Sequence, residues 1–220
     1  MHVLSRRLVA CLVVLSPLAL AGWASAQAPL PEAIASVTSS APDGAHAIGA
    51  PALAAALRQG GYVVYFRHTA TDFSRSDEGM KGYGDCERQR LLSAQGRSDA
   101  RAVGKHIRAL RLPVGEVLAS PYCRTLDTAR LMFAQAQPRD EIREAQDGDY
   151  PGLKRLLAAP VALGSNRWVI GHGTPFRTIA GAPHLAEGEA AVLRPRGSGW
   201  TVVARVRVDE WPDLAAARAR

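Results

Sequence analysis

One stretch of the sequence decides the fold: residues 62–69, which read YVVYFRHT. Its first five residues are all β-branched or aromatic, a pattern typical of a strand that is buried on both faces of a parallel sheet. The apolar run then stops at the pair Arg67-His68. We therefore predict a central buried strand whose carboxyl end presents two basic side chains.

On both sides of this strand, strand patterns alternate with helical periodicity. Pro51 begins a predicted helix that ends at Gln59, and Ser93 caps a predicted helix that continues to about Leu110. Further strands are predicted at 117–119, 141–145 and 167–171, further helices at 122–135, 152–158 and 175–180, and a hairpin at 190–194 and 200–208. The predicted fold class is α/β, a three-layer α/β/α sandwich with a mostly parallel sheet and an antiparallel C-terminal hairpin at one edge.

The amino-terminal end has the pattern of a secretory signal peptide, predicted over residues 1–26. Two arginines precede an apolar run at 8–22, and small residues precede the expected cleavage point after Ala26. The alternatives are a membrane anchor and a lipoprotein site at Cys11. The run is shorter than the roughly 20 residues that span a bilayer, and most of it follows Cys11. We expect a periplasmic or secreted protein with no stable membrane anchor after cleavage.

The rest of the chain is predicted to contain a flexible lead-in at 27–50, rich in Ala, Pro, Ser and Gly, and a single domain at 51–220. Removal of the signal peptide would lower the formal net charge from +7 to +5, because that segment holds two arginines and no acidic residue. A mild basic excess suits an anionic substrate. Long basic blocks are absent from the sequence, so we expect no nucleic-acid partner.

Two cysteines, Cys86 and Cys123, remain in the mature chain. In an oxidising compartment we favour a disulfide between them, with two buried free thiols as the alternative. A bridge would close a loop of 38 residues, counting both cysteines, and stabilise the fold by roughly 3–4 kcal/mol. Their spacing is not that of a zinc site, and we expect no metal and no cofactor.

Basic side chains follow three of the predicted strands. Arg67 and His68 follow the first, Arg124 opens the helix after the second, and His172 follows the strand at 167–171. Because ligands bind at the carboxyl edge of an open parallel sheet, we expect these side chains to meet there, with no carboxylate immediately among them. Two guanidinium groups and a helix amino terminus form a pocket for a tetrahedral oxyanion such as phosphate.

Four motifs carry a resemblance to a known family: FRHT at 66–69, LSAQGR at 92–97, ASPYCRTLDTA at 119–129 and VIGHG at 169–173. In this order they resemble the histidine phosphatase superfamily, which has a phosphoglycerate mutase-like fold, and the likeness extends from about Gly61 to Trp211. The resemblance implies that His68 is the nucleophile that becomes phosphorylated. It also implies that Arg67, Arg124 and His172 complete the phosphate pocket, with Thr71 as a secondary phosphate contact.

Two features depart from the family pattern. Thr69 stands where relatives have glycine after the Arg-His pair, and Gly173 stands where some relatives have an acidic proton donor after the second histidine. Other relatives take the donor from the region after the second arginine. The candidate donors are Glu141, Glu144 and Glu187. We interpret His184, in a loop, as incidental.

The sequence thus predicts an exported, metal-independent phosphoric monoester hydrolase that forms phosphohistidine on His68. The expected partner is a small phosphorylated substrate, and an envelope phosphosugar is compatible with export. Two alternatives stay open: a phosphoryl-transfer mutase, which would use the same intermediate, and a non-catalytic module that binds phosphate or a phosphosugar.

Overall fold

A computed structural model of the chain describes residues 48–143 and 148–216. Strands and helices alternate over these residues, as the sequence predicts. The elements are α1 (Ala50–Gln59), β1 (Tyr62–Arg67), α2 (Ala94–Ala109), β2 (Val114–Ala119), α3 (Cys123–Phe133), β3 (Gln137–Pro138), α4 (Pro151–Ala158), β4 (Asn166–Gly171), α5 (Gly173–Ala180), β5 (Ala190–Pro195), β6 (Trp200–Val206) and α6 (Trp211–Ala216).

The strands form one sheet in the order β3-β2-β4-β1-β5-β6. The four strands from β3 to β1 are parallel, whereas β5 pairs antiparallel with β1 and β6 pairs antiparallel with β5. The predicted mostly parallel sheet with an antiparallel C-terminal edge hairpin is therefore confirmed. Because β1, β2 and β4 run in the same direction, the residues that follow them emerge at one edge of the sheet.

Both faces of the sheet are covered, which explains the continuous apolar sequence of β1. Val64 and Phe66 point to one face, where they pack with residues of α1, α2, α3 and α6. Val63 and Tyr65 point to the other face and pack with residues of α4 and α5. All four side chains are fully buried, so the predicted three-layer arrangement is confirmed.

Two elements differ from the prediction. The strand expected at 141–145 is wrong over 141–143, and 144–145 lie outside the described residues: the edge strand is β3, and Asp140–Ile142 forms a 3-10 turn, from which Ile142 packs into the core. Only two residues pair at this edge, and Pro138 lacks the N–H that a longer ladder would need. The short helix α6 was not predicted, since it makes less than two turns. Its Trp211 and Leu214 are nevertheless buried.

The predicted signal peptide and most of the predicted lead-in lie outside the described residues. The helix α1 begins at Ala50, so the last residue of that lead-in is helical, and Ile48 packs against the core. None of the helices in 48–143 and 148–216 is long and apolar enough to cross a membrane.

Candidate active site

The predicted side chains do meet at the carboxyl edge of the sheet. Backbone pairing continues just past the strand ends, because the His68 N–H donates to Gly171 O at 3.0 Å and the Ser120 N–H donates to Ile170 O at 2.9 Å. This pairing fixes the starting points of the segments that follow β1, β2 and β4. It brings the imidazole rings of His68 and His172 to a centroid separation of 5.6 Å, with the ring planes at 69°.

His68 is held as a neutral imidazole in one tautomer. Its Nδ1 lies 3.0 Å from Thr69 O, and because a carbonyl oxygen only accepts, Nδ1 carries the ring proton. The lone pair is therefore on Nε2, the atom available for attack. Burial lowers the pKa of His68 to about 3, aided by the positive charges of Arg124 and Arg67. His68 thus stays neutral, as a nucleophile must, far below neutral pH.

His172 is fixed by contacts on both its ring and its backbone. The Tyr65 hydroxyl donates to His172 O at 2.8 Å and accepts from the His172 N–H at 3.0 Å. On the ring, Nε2 lies 2.8 Å from Ser120 Oγ, whereas Nδ1 has no hydrogen-bond partner among the described residues. Burial and the nearby His68 and Arg124 hold the pKa of His172 well below its ordinary value. A neutral His172 still donates through Nδ1–H when Ser120 donates to Nε2.

Arg124 lies in the first turn of α3 and is almost fully buried. Its guanidinium stands over the ring of Tyr122, 4.4 Å from the ring centroid. Its Nη1 donates to both oxygens of Asp77 at 3.0 Å, and Asp77 also accepts from the Arg90 N–H at 2.9 Å. The expectation that no carboxylate lies among the basic groups is therefore wrong. Asp77 comes from the loop after β1, whose course the sequence pattern did not predict.

A second carboxylate, Glu187, lies on the other side of His68. It accepts from the Thr71 hydroxyl at 2.7 Å and from the Thr71 N–H at 3.1 Å, and its Oε1 is 3.7 Å from Arg67 Nη2. The same Oε1 is 3.9 Å from His68 Nδ1, the side of the ring opposite the nucleophilic nitrogen. Of the predicted donors, Glu187 is thus at the site. Thr71 is at the site as well, but its hydroxyl is bonded to Glu187.

Of the other two predicted donors, the structure describes only Glu141, which is engaged elsewhere. Glu141 pairs with Arg139. Burial raises the pKa of Glu141, but the hydrogen bonds that this carboxylate accepts and the positive charges of Arg139 and Arg155 together leave its pKa below the ordinary value. A carboxyl group with a lowered pKa is poorly suited to donate a proton near neutral pH. Glu144 lies outside the described residues.

The loop that carries Asp77 is fastened to the start of α3. Cys86 and Cys123 form a disulfide with their Cα atoms 5.8 Å apart. Next to it, the buried Gln89 accepts from the Cys123 N–H at 2.9 Å and donates to Tyr83 O at 2.9 Å. These contacts hold the loop beside Arg124.

The sequence alone did not predict three residues of the site: Asp77, Arg90 and Ser120. Of these, only Ser120 stands in a motif that could have indicated it.

Thr69 fits its position without the freedom of a glycine. Its backbone lies outside the left-handed region, and its side chain is fully buried. Its N–H donates to Thr128 Oγ1 at 3.3 Å, which links the end of β1 to α3. The departure from the family pattern at this residue therefore leaves the geometry of the Arg67-His68 pair intact.

The sequence that contains these site residues shows which family the chain belongs to. Residues 63–181 match the family model of the histidine phosphatase superfamily, branch 1, over more than half of the chain. The chain belongs to this superfamily. The histidine phosphatase match begins in β1 and ends just after α5, so it contains His68, Arg124 and His172. No curated protein matches the chain.

Several solved structures are similar to this histidine phosphatase. The protein histidine phosphatase SixA, in complex with tungstate, is 17% identical with a TM-score of 0.48, over 68% of this chain and 98% of that one. YhfR from Bacillus stearothermophilus is 16% identical with a TM-score of 0.46, over 65% and 95%. Phosphoserine phosphatase from Entamoeba histolytica, with 3-phosphoglyceric acid, is 13% identical with a TM-score of 0.49, over 66% and 95%. At these identities the likeness concerns the fold alone.

The two buried histidines predict a pH dependence of stability. Below pH of about 6.5 the unfolded chain protonates both residues, whereas the folded chain does not, since the folded pKa of His68 is about 3 and that of His172 is also lowered. Because the unfolded state then binds more protons, the free energy of unfolding falls as the pH falls, by up to about 1.4 kcal/mol per pH unit for each histidine. Urea unfolding at pH 7 and pH 5 measures this change. The difference in the free energy of unfolding between the two pH values should be smaller in His68→Gln than in the wild type, and unchanged in His106→Gln. The same difference in all three proteins would contradict the lowered pKa of His68.

Proposed function

We propose that this histidine phosphatase hydrolyses phosphate monoesters without a metal ion, through a phosphohistidine on His68. The observation that carries the proposal is the site itself: a neutral His68 with its lone pair on Nε2, beside His172 and two pocket arginines. Arg67 and Arg124 supply positive charge for the phosphoryl oxygens, and His172 Nδ1 supplies a hydrogen bond.

The reaction has two steps in this proposal. First, His68 Nε2 attacks phosphorus, the bond from phosphorus to the leaving oxygen breaks, and the leaving group departs as an alcohol after taking up a proton. Second, water attacks the phosphohistidine, and the electrons of the phosphorus–nitrogen bond return to His68. The guanidinium groups of Arg67 and Arg124 meet the charge that spreads over the phosphoryl oxygens in both steps.

Turnover in the presence of a chelator tests this function. The purified protein is incubated with an aryl phosphate and EDTA, and released phosphate is measured. We expect release that EDTA does not reduce. Loss of release on chelation would overturn the metal-free mechanism. Added sugar-phosphate acceptors would reveal a mutase by transfer of the phosphoryl group. Tight phosphate binding without any release would indicate the non-catalytic module.

The proposal extends to location and substrate. The disulfide between Cys86 and Cys123 supports export, because disulfides persist in oxidising compartments. We propose that residues 1–26 are removed and that the mature protein acts in the periplasm or outside the cell, on a small phosphorylated molecule such as an envelope phosphosugar. Amino-terminal sequencing of the protein from fractionated cells tests the first part. A panel of phosphosugars, phosphorylated metabolites and phosphopeptides tests the second, where uniformly low rates would count against a dedicated envelope substrate.

A further inference from the structure

The proposed reaction needs a proton for the leaving oxygen, and the carboxylates at the site are engaged as acceptors. Glu187 accepts two hydrogen bonds from Thr71. Asp77 accepts from Arg124 and from the Arg90 N–H. The oxygens of both carboxylates are thus already bonded to groups of the protein itself. A side chain of a different kind, near the site and open to solvent, is therefore the better candidate for the proton donor.

His184 lies against the residue that follows His172. A Cβ atom built on Gly173 would stand only 1.8 Å from His184 Cε1, and 2.6 and 2.8 Å from the two ring nitrogens. Only a residue without a side chain leaves room for the ring here. On its other side, His184 Nδ1 lies 3.3 Å from Arg67 Nη1. The imidazole therefore fills the space between the arginine at the end of β1 and the first residue of α5.

The loop that carries His184 is held in place by hydrogen bonds. His184 Nδ1 lies 2.9 Å from Leu185 O, a carbonyl that also accepts from Arg67 Nη1 at 2.6 Å. Arg205 of β6 donates to His184 O at 3.0 Å and to Pro183 O at 2.9 Å. Arg205 is itself fixed by a largely buried ion pair with Glu189 at 2.6 Å. The backbone of His184 is thus anchored while its side chain remains exposed to solvent.

The tautomer follows from these contacts. Because Leu185 O only accepts, the Nδ1–H of His184 and Arg67 Nη1 both donate to this carbonyl, and Nε2 is the ring nitrogen left for exchange with another group. Imidazole is the side chain suited to exchanging a proton near neutral pH. His184 is exposed to solvent and lies between Arg67 and the residue that follows His172, so its ring stands beside two members of the pocket.

We propose that His184 is the proton donor for the leaving group and the proton acceptor for the attacking water. In the first step His68 Nε2 forms the bond to phosphorus, the electrons of the breaking phosphorus–oxygen bond pass to the leaving oxygen, and that oxygen takes the proton from His184 Nε2. In the second step the neutral His184 takes a proton from the attacking water as the phosphorus–nitrogen bond breaks. The cycle ends with His184 protonated again. This role of His184 rests on the proposed function.

A change of leaving group separates this role from a structural one. We compare His184→Gln with the wild type on glycerol phosphate, whose alkoxide needs a proton, and on 2,4-dinitrophenyl phosphate, whose phenolate does not. We expect the kcat for glycerol phosphate to fall by about 100-fold or more, and the kcat for dinitrophenyl phosphate to change by less than about threefold. His106→Gln, on helix α2, is the matched control and should leave both rates unchanged.

The remaining outcomes decide against the proposal. Equal loss on both substrates with an unchanged unfolding midpoint in urea would make His184 a positioning residue. A leaving-group-dependent loss in Glu187→Gln or Asp77→Asn, with none in His184→Gln, would assign the donor to a carboxylate. If the glutamine variant does not fold, His184→Asn repeats the comparison. A wild type that turns over neither substrate would overturn the phosphatase function itself, whereas turnover with an unchanged ratio would overturn only the role of His184.

The pH profile gives a second readout. Among the described residues, Arg67 of β1 lies against His184 Nδ1, and Arg205 of β6 bonds the backbone carbonyl of His184. Arg205 is paired with Glu189, and His172 immediately precedes Gly173, which the ring of His184 approaches. If His184 donates the proton, the fall of the wild-type kcat on glycerol phosphate toward high pH depends on His184. This fall should be absent in His184→Gln. A profile that is the same in both proteins would contradict the proposal.

Discussion

Replacing His68 by alanine is expected to lower kcat/KM for an aryl phosphate by about four orders of magnitude or more, the scale of effect that removal of a nucleophile has in other enzymes. The reason is chemical. His68 Nε2 is the atom placed to attack phosphorus, since Nδ1 is occupied by Thr69 O at 3.0 Å. Steady-state release of phosphate measures the loss.

The control for this variant is His106→Ala, which removes an imidazole from the half-buried surface of α2. It should retain the rate of the wild type within about twofold, because surface substitutions usually have small effects. A His68→Ala protein that keeps a rate within tenfold of the wild type, while it remains folded, would show that the nucleophile lies elsewhere. The proposed mechanism would then be wrong.

Replacing Arg124 by alanine is expected to lower kcat/KM by about 10³-fold, the upper end of what one charge-stabilising donor contributes. The guanidinium is almost fully buried at the amino terminus of α3, where positive charge and backbone N–H groups act on the same phosphoryl group. The substitution also removes the guanidinium that pairs with Asp77, and the negative charge of Asp77, left with the Arg90 N–H, then opposes phosphate binding. Part of the loss should therefore appear as a raised KM.

The matched control is Arg130→Ala on the same helix. Arg130 is exposed, and its side chain makes a long ion pair with Asp127, at 3.8 Å. Its loss should leave kcat/KM unchanged within about threefold, since exposed ion pairs contribute little. A similar loss of kcat/KM in Arg124→Ala and Arg130→Ala would mean that the total positive charge of α3, rather than a contact of Arg124, supports the reaction. The unfolding midpoint in urea distinguishes a catalytic loss from a loss of folded protein.

The sequence predicted the parts of the site that depend on strands. A run such as 62–66 is buried on both faces wherever it lies, and parallel strands deliver their carboxyl ends to one edge. This is why His68, Arg124 and His172 could be placed together without coordinates. The same reasoning failed for the strand at 141–145, because one buried side chain, Ile142, fits a turn as well as it fits a strand.

The sequence did not predict the parts of the site that depend on loops. Asp77 reaches Arg124 through a loop whose path is set by the disulfide and by Gln89, and no periodicity encodes such a path. The sequence alone gives His184 as incidental, because it lies in a loop. Its place beside Gly173 depends on the hydrogen bond from Arg205 to the His184 carbonyl, which joins residues 21 positions apart. Glu187 was found as a candidate, but its bonds to Thr71 were not.

The central claim is that His68 carries the phosphoryl group during turnover, and trapping of that group tests it most directly. The wild type is mixed with substrate, quenched under alkaline conditions that preserve phosphohistidine, digested and analysed by mass spectrometry, with His68→Ala treated in parallel. The predicted result is a phosphoryl group on His68 that appears within one turnover and disappears when the substrate is exhausted. A phosphoryl group on another residue, or steady turnover with none on His68 at any time, would contradict the account.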